Sequence, residues 1–420
     1  MAIEAVYEER KLSAGLDFYK PTMSQVEFHN HPNEQVEFTF KNRGKEKLTE
    51  YVDTEVLQAR LNAYKTGFDS EEIEYLGTLL GKEDKPLFDP EYLEYLRDRE
   101  LPPIEVVIDP ETEDIAITAE GDWPMVTFWE TVVMSEVNEL YFETKIREEG
   151  LDITDIYEEG DRRLTEKIEI LKSRPDIKFA DFGTRRRFSY RWHNHVVERL
   201  VNECPENLLG VSCVELAKKH GVDPIGTFAH EMFMVYAALA DAEGKNPLEG
   251  HNKVLRDWQD RYGDDLSTAL TDTFGSEFFF TDMTFEQAEE WRALRHDSGD
   301  PIEFGDRVIE FYQDKGIDPL EKTIVFSDGL DIDTIVQLAD YFKGRINVVF
   351  GWGTTLTNDL GLKPLNIVMK ATKVNDTETV KLSDAAGKHT GPEEKVKQYQ
   401  EAVAVALGAV ANKQVIEGIA

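Results

Sequence analysis

Cysteine is almost missing from this chain of 420 residues: Cys204 and Cys213 are the only two. Two cannot build a disulfide framework or a cysteine-rich metal centre. No apolar run approaches the length of a membrane span, and Met1 to Lys11 lacks the basic-then-apolar order of a signal peptide. A cytoplasmic protein is expected. Basic charge is scarce as well: 47 lysines and arginines face 83 acidic residues, a net charge of −36. Such a surface repels nucleic acid and anionic membranes, so neither is an expected partner. The pattern G-x-x-x-x-G-K-[ST] does not occur, so a nucleotide would not sit in a standard P-loop. Repeats of fixed period and low-complexity tracts are also lacking.

What remains is enough for a large core, since 41% of residues are hydrophobic. The first third is mixed. Glu37 to Phe40 alternates like a strand, while Glu55 to Tyr64 and Glu91 to Arg99 read as helices. Ile104 to Ile108 and Asp114 to Thr118 flank the turn-forming Asp109-Pro110-Glu111-Thr112 and predict a hairpin. Thr131 to Ile146 predicts a long, largely buried helix. From about residue 175 the rhythm changes to short apolar segments alternating with amphipathic stretches. The strand candidates are Ile177 to Phe182, Pro224 to Thr227, Ala269 to Phe274, Arg292 to His296, Thr323 to Ser327, Ile346 to Phe350 and Asn366 to Ala371. Helices are expected over Glu303 to Lys315 and, behind an acidic cap, over Asp331 to Phe342. This α/β alternation implies a parallel sheet, and its number of units favours an irregular β/α barrel.

The chemistry of such a barrel gathers at the C-terminal ends of its strands. In Ile225-Gly226-Thr227-Phe228-Ala229-His230-Glu231 an apolar run gives way to a histidine that opens a helix-like stretch. That imidazole is suited to act as base, acid or phosphoryl-accepting nucleophile. Phe182 precedes Arg185-Arg186-Arg187, the chain's one run of three basic residues. Other strand ends carry Asp272-Thr273, Arg295 to Gly299, Ser327-Asp328-Gly329 and Gly351-Trp352-Gly353-Thr354-Thr355. Each has a bland alternative, Asp328 as a turn residue and Gly351 and Gly353 as a bend. Barrel strands do not, however, require carboxylates, arginines and a glycine loop on one rim. The set suits a ligand with a phosphate for the glycine loop, vicinal hydroxyls for Asp297 and Asp328, and further anionic charge for Arg185. Phe182 and Tyr19 offer flat faces to an aromatic ring. His193 and His195, two apart on a helix, diverge, so no metal pair is expected there; His29 and His31 read as surface residues. Composition and periodicity lead to a barrel enzyme acting on a phosphorylated sugar, and no further.

Leu16-Asp17-Phe18-Tyr19-Lys20-Pro21-Thr22-Met23, Asp181 to Ser189, Pro224 to Glu231, Asp272 to Gly275, Arg295 to Gly299 and Lys381-Leu382-Ser383-Asp384 together resemble the nicotinate phosphoribosyltransferase family, in the family's order. The resemblance implies the type II phosphoribosyltransferase fold, an irregular β/α barrel with a mixed α/β N-terminal domain. On that reading residues 1–135 form the N-terminal domain, rejoined by 372–420, and residues 136–371 form the barrel with the active site. It implies transfer of phosphoribosyl from phosphoribosyl pyrophosphate to nicotinate, coupled to ATP through a phosphohistidine at His230, as the first step of NAD salvage. Phe182 and Tyr19 would sandwich the pyridine ring, Tyr19 coming from a neighbouring subunit as in related enzymes, hence a homodimer. Arg185 would sit by the phosphates and Arg295 by the nicotinate carboxylate. Asp297 and Asp328 would bind the ribose hydroxyls, and Gly353 and Thr354 the 5′-phosphate. Asp272 is counted among the substrate-binding residues. No metal ligands of the protein's own are expected; Mg²⁺ would arrive bound to the pyrophosphate. The sister family acting on nicotinamide carries an acidic residue in the loop matching Gly210 to Cys213. Ser212 removes that repulsion and favours nicotinate, although Val211 and Cys213 depart from the Gly-Thr-Ser-Asn more often seen. The alternatives are a nicotinamide phosphoribosyltransferase and a non-catalytic phosphoribosyl-pyrophosphate sensor.

Overall fold

The computed structural model describes residues 10–385 and 388–417. Two sheets organise it. The first is built from β1 (Gln35–Asn42), β2 (Ile104–Ile108) and β3 (Ile115–Asp122). Val36, Phe38 and Phe40 turn inward at every second residue of β1, as do Ile115, Ile117 and Ala119 of β3, the period that buries one face of a sheet. β2 and β3 form the expected hairpin around Asp109 to Asp114, with Ile108 opposite Ile115.

The second sheet is parallel: β4 (Phe179–Asp181), β5 (Leu208–Val211), β6 (Thr268–Leu270), β7 (Ala293–His296), β8 (Thr323–Phe326) and β9 (Asn347–Trp352). Its order is β5-β4-β9-β8-β7-β6. Expected helices intervene, Pro301–Asp314 and Ile332–Phe342 among them, the latter capped by the Asp331 carboxylate accepting from the Thr334 N–H.

Two strand expectations need correction. Asn366 to Ala371 does form a strand, β10 (Ile367–Val374), but not in the parallel sheet. It pairs antiparallel with β1 and, with β11 (Thr377–Glu378), completes the first sheet in the order β11-β10-β1-β3-β2. The chain between β9 and β10 holds one helical turn, Thr354–Thr357, and no crossover helix of the kind that joins parallel neighbours; β10 instead sets Ala371 opposite Phe38 and Met369 opposite Phe40 of β1. Pro224 to Thr227 is not a strand either: a single parallel bridge joins Pro224 to Val211 of β5, which sequence reasoning had left unassigned. The barrel is irregular at this seam. There the chain is held by the N-terminal helix Tyr19–Asn30, whose Thr22 hydroxyl donates to the Thr227 carbonyl at 3.0 Å.

The helix Trp129–Glu148 is buried along its first fourteen residues, Trp129 to Phe142, and packs against β10. One continuous apolar core takes in Phe38 of β1, Val133 of this helix and Phe350 of β9. The N-terminal segment is stitched to the parallel sheet by backbone: Phe18 N–H donates to the Ser212 carbonyl at 2.7 Å and Val214 N–H to Leu16 at 3.1 Å. Among the described residues no helix is long and apolar enough to cross a membrane.

A Cβ on Gly226 would lie 2.6 Å from the backbone nitrogen of Tyr19. Gly226→Ala is therefore expected to cost about 1–3 kcal/mol, the usual size of an overpacked contact, read as a lower urea midpoint. An unchanged midpoint would show that the two segments part without cost.

Candidate active site

The C-terminal ends of β4 and β6 to β9 open into a cavity of about 550 Å³. Its opposite wall comes from the first sheet, through Phe38, Met369 and Lys370, and from the Trp129–Glu148 helix, through Glu130 and Met134. Seven lysines and arginines line it (Arg43, Arg185, Arg186, Arg295, Lys370, Lys381, Lys388) against the four carboxylates of Glu130, Glu231, Asp297 and Asp328. In a chain with a net charge of −36, this local excess of cations marks the site for an anion.

β4 delivers Phe182, whose N–H still pairs with the Trp352 carbonyl at 2.9 Å. The ring occupies the space a side chain at 351 would fill, since a Cβ on Gly351 would be 2.5 Å from it. The glycine thus makes room for an aromatic, a different use from the phosphate cradle expected of it. The Arg295 guanidinium lies 5.6 Å from the centre of the Phe182 ring. Arg185 lies 5.5 Å from that of Tyr19 and pairs with Asp17 and Glu130, at 3.2 Å each. Burial pushes the Glu130 carboxyl up, but Lys20, Arg185 and Lys370 outweigh it and hold it at about 2.

At the ends of β6 and β7 a chain of polar contacts runs inward. Arg295 donates to the Ser327 hydroxyl at 2.8 Å and to Asp297 Oδ1 at 3.0 Å. Asp297 Oδ2 is 3.0 Å from His230 Nε2, and Lys381 Nζ donates to the same nitrogen at 2.9 Å. His230 Nδ1 lies 3.0 Å from the Thr273 hydroxyl. Lysine has no acceptor, so with Lys381 bound Nε2 keeps its lone pair and Nδ1–H donates to Thr273; the other tautomer would satisfy Asp297 instead. Burial first, then the Lys381 charge, hold the imidazole down at about 4 against the pull of Asp272 and Asp297. His230 is thus neutral and nucleophilic at neutral pH. The unfolded chain takes up that proton below about 6.5, so stability falls as pH drops from there toward 4. Burial pushes Asp297 up, but Arg295, His230 and Lys381 hold it well below the ordinary carboxylate range.

Nine of the eleven nominated residues line this one cavity: Tyr19, Phe182, Arg185, His230, Arg295, Asp297, Asp328, Gly353 and Thr354. Two do not. Asp272 is buried behind His230, 3.0 Å from Lys381. Ser212 is buried too; its hydroxyl donates to Asp17 at 2.6 Å and contacts Thr184 at 3.1 Å. It reaches the site only through the Asp17–Arg185 pair, so a direct role in choosing the base is not what the geometry offers. Tyr19 enters the cavity of its own chain, where the expectation had it supplied by a neighbouring subunit.

Sequence reasoning missed Lys370, Glu130 and Arg43. A lysine inside the apolar run Ile367 to Ala371 was the available signal for the first. Arg186 and Lys381 stood in recognised motifs without an assigned role.

His230, Asp272 and Asp297 offer three ligand atoms within 4.8 Å of one another. The Lys381 ammonium already sits against two of them, and Mg²⁺ asks for an octahedron of oxygens. These donors do not fit a resident Mg²⁺.

Residues 177–406 match the model of the Nicotinate phosphoribosyltransferase (NAPRTase) family, and residues 16–138 match that of its N-terminal domain. The chain belongs to the nicotinate phosphoribosyltransferase family. It is 39% identical over 399 residues to the nicotinate phosphoribosyltransferase of Methanosarcina mazei, covering 89% of this chain and 93% of that one. That of Chromobacterium violaceum is 38% identical over 383 residues, covering 89% and 91%. Among solved structures, the nicotinate phosphoribosyltransferase of Porphyromonas gingivalis superposes with a TM-score of 0.83 at 31% identity, over 94% of this chain and 99% of that one. The Vibrio cholerae structure gives 0.79 at 29% identity, over 97% and 98%. The fold is the family's type II phosphoribosyltransferase architecture, an irregular β/α barrel joined to a mixed α/β domain.

Burial, then the neighbouring Lys381, lowers Lys370 to about 8. As pH rises through that value the cavity loses a positive charge. Binding of inorganic pyrophosphate is therefore expected to weaken above about pH 8, and Lys370→Met to remove that limb of a calorimetric titration series. A limb unchanged in the variant would assign it elsewhere.

Proposed function

We propose that this protein joins nicotinate to phosphoribosyl pyrophosphate to give nicotinate mononucleotide and pyrophosphate, with ATP hydrolysed to ADP and phosphate. It would be an ATP-dependent, ligase-type phosphoribosyltransferase at the first step of NAD salvage. The observation that carries the reading is the placement of a neutral, buried His230 in a cation-rich cavity that also holds Phe182 and Tyr19. Membership of the family supports it.

The pyridine nitrogen attacks C1 of the ribose, the bond from C1 to the pyrophosphate oxygen breaks, and positive charge builds on the sugar. Asp297 and Asp328 supply negative charge on that side, Arg185, Arg186 and Lys370 receive the departing anion, and Arg295 is placed for the nicotinate carboxylate. Fixed charges aimed at developing ones are the main lever for such a reaction. On this reading Phe182 and Tyr19 offer their faces to the ring, and Gly353 and Thr354, which line the same cavity, hold the 5′-phosphate. Mg²⁺ belongs to the phosphate substrates as they arrive. In the coupled step the Nε2 lone pair takes the γ-phosphoryl group of ATP, ADP departs, and water later releases phosphate and restores the imidazole. Lys381, already donating to Nε2, is placed to turn to the phosphoryl oxygens.

Pyrophosphate release is expected with nicotinate, stimulated by Mg-ATP; release favouring nicotinamide would move the protein to the sister activity, and none with either base would favour a sensor. His230→Ala should abolish the ATP stimulation and leave slow, ATP-independent turnover, and full stimulation in that variant would refute the phosphohistidine. Ser212→Asp would set a second buried carboxylate against Asp17. It should lower kcat/KM about equally for nicotinate and nicotinamide; a loss confined to nicotinate would restore a direct contact with the base.

A further inference from the structure

Three helices begin around one buried ammonium. Lys20, wholly buried, is the second residue of the helix Tyr19–Asn30. Its Nζ lies 2.6 Å from Glu130 Oε2 and 2.6 Å from Glu231 Oε2, and donates to the Thr127 hydroxyl at 3.1 Å. Glu130 and Glu231 are in turn the second residues of the helices Trp129–Glu148 and His230–Ala242. Carboxylates suit a helix N-terminus, whereas a lysine there opposes the helix dipole. Buried ion pairs are also a poor source of stability, because desolvation offsets their attraction. The arrangement therefore asks for a reason other than stability.

The partners of the two carboxylates supply one. Glu130 accepts from Arg185 through Oε1, at 3.2 Å, and from the Tyr19 hydroxyl through Oε2, at 3.3 Å. Glu231 follows His230 directly and is fixed by the Trp123 indole N–H at 2.7 Å. One ammonium thus ties the turn that carries the phosphoryl acceptor to the arginine and the tyrosine across the cavity. Glu27, on the same helix as Lys20, is buried with neither carboxyl oxygen hydrogen-bonded. Burial and the charge of Glu231 push its pKa well up.

We infer that Lys20 is a positioning residue that couples events at His230 to the placement of Tyr19 and Arg185. The inference rests on the phosphohistidine reading above. A phosphoryl group on His230 adds negative charge one residue from Glu231. Held to Glu130 by Lys20, Glu231 cannot shift without moving the carboxylate that anchors Arg185. Without the ammonium, two buried carboxylates repel, and the helix starts at Trp129 and His230 respond separately. ATP could then be consumed with no gain in affinity for the sugar pyrophosphate.

The experiment measures KM for phosphoribosyl pyrophosphate with and without Mg-ATP, and ADP formed per nicotinate mononucleotide formed. It compares the unsubstituted protein with Lys20→Met and with Lys20→Met/Glu231→Gln, which removes one charge of each sign and so avoids stranding a second carboxylate. In the unsubstituted protein Mg-ATP should lower KM by a factor in the range of about 5 to 150 usual for coupled sites. In both variants that factor should fall to about 1, while ADP is still formed and the ratio of ADP to product rises. A folded variant with the original factor and ratio overturns the coupling, and if the single variant does not fold, the double variant decides. If the unsubstituted protein forms no ADP, the phosphohistidine reading fails first and the coupling with it, an outcome seen before any substitution is made.

Discussion

The site depends on a short antiparallel stitch. Leu16 and Phe18 exchange backbone hydrogen bonds with Val214 and Ser212 just beyond β5, and this brings the helix Tyr19–Asn30 to the rim of the parallel sheet. Tyr19 and Lys20 owe their positions to it, and so does Asp17, which accepts from Ser212 on one side and pairs with Arg185 on the other. The close approach of Gly226 to the Tyr19 backbone locks the same junction from the far side. Neither sheet alone presents a cavity with this set of groups.

The electrostatics follow from where the cations are allowed to be. Over the surface, acidic residues are in excess and solvated. In the cavity, arginines and lysines face one another, and burial together with the neighbouring Arg185 lowers Arg186 to about 10. An anionic ligand would relieve that mutual repulsion. Burial first, then the Lys381 charge, keeps His230 uncharged, the state the proposed phosphoryl transfer requires.

Much of this was legible in the sequence, for identifiable reasons. Strands buried on both faces are short apolar runs ended by polar residues, and the ends of β4, β6, β7, β8 and β9 could be read that way. Helices with an acidic cap, such as the one after Asp331, were readable from the cap. What failed was tertiary in origin. Leu208 to Val211 is a strand only because β4 lies beside it, and Pro224 to Thr227 is apolar without being a strand because a helix borders it. Ile367 to Val374 has the composition of a barrel strand, and only its pairing with the distant β1 places it in the other sheet. Ser212 stands in a loop that resemblance had set against the base, yet backbone pairing turns it toward Asp17. Glu130 and Lys20 lie far apart in the chain, so no local pattern could announce that they meet.

The seam between β5 and β6 has a consequence for how the protein holds together. Where a regular barrel would run another strand, the chain from Pro224 to Thr227 leans on Thr22 and Tyr19 of the N-terminal region. The wall of one unit is thus completed by a piece of the other, across a shared apolar core. The two units are then not separable folding entities. A chain cut between them would lose Tyr19 and the support of the wall that carries His230 together.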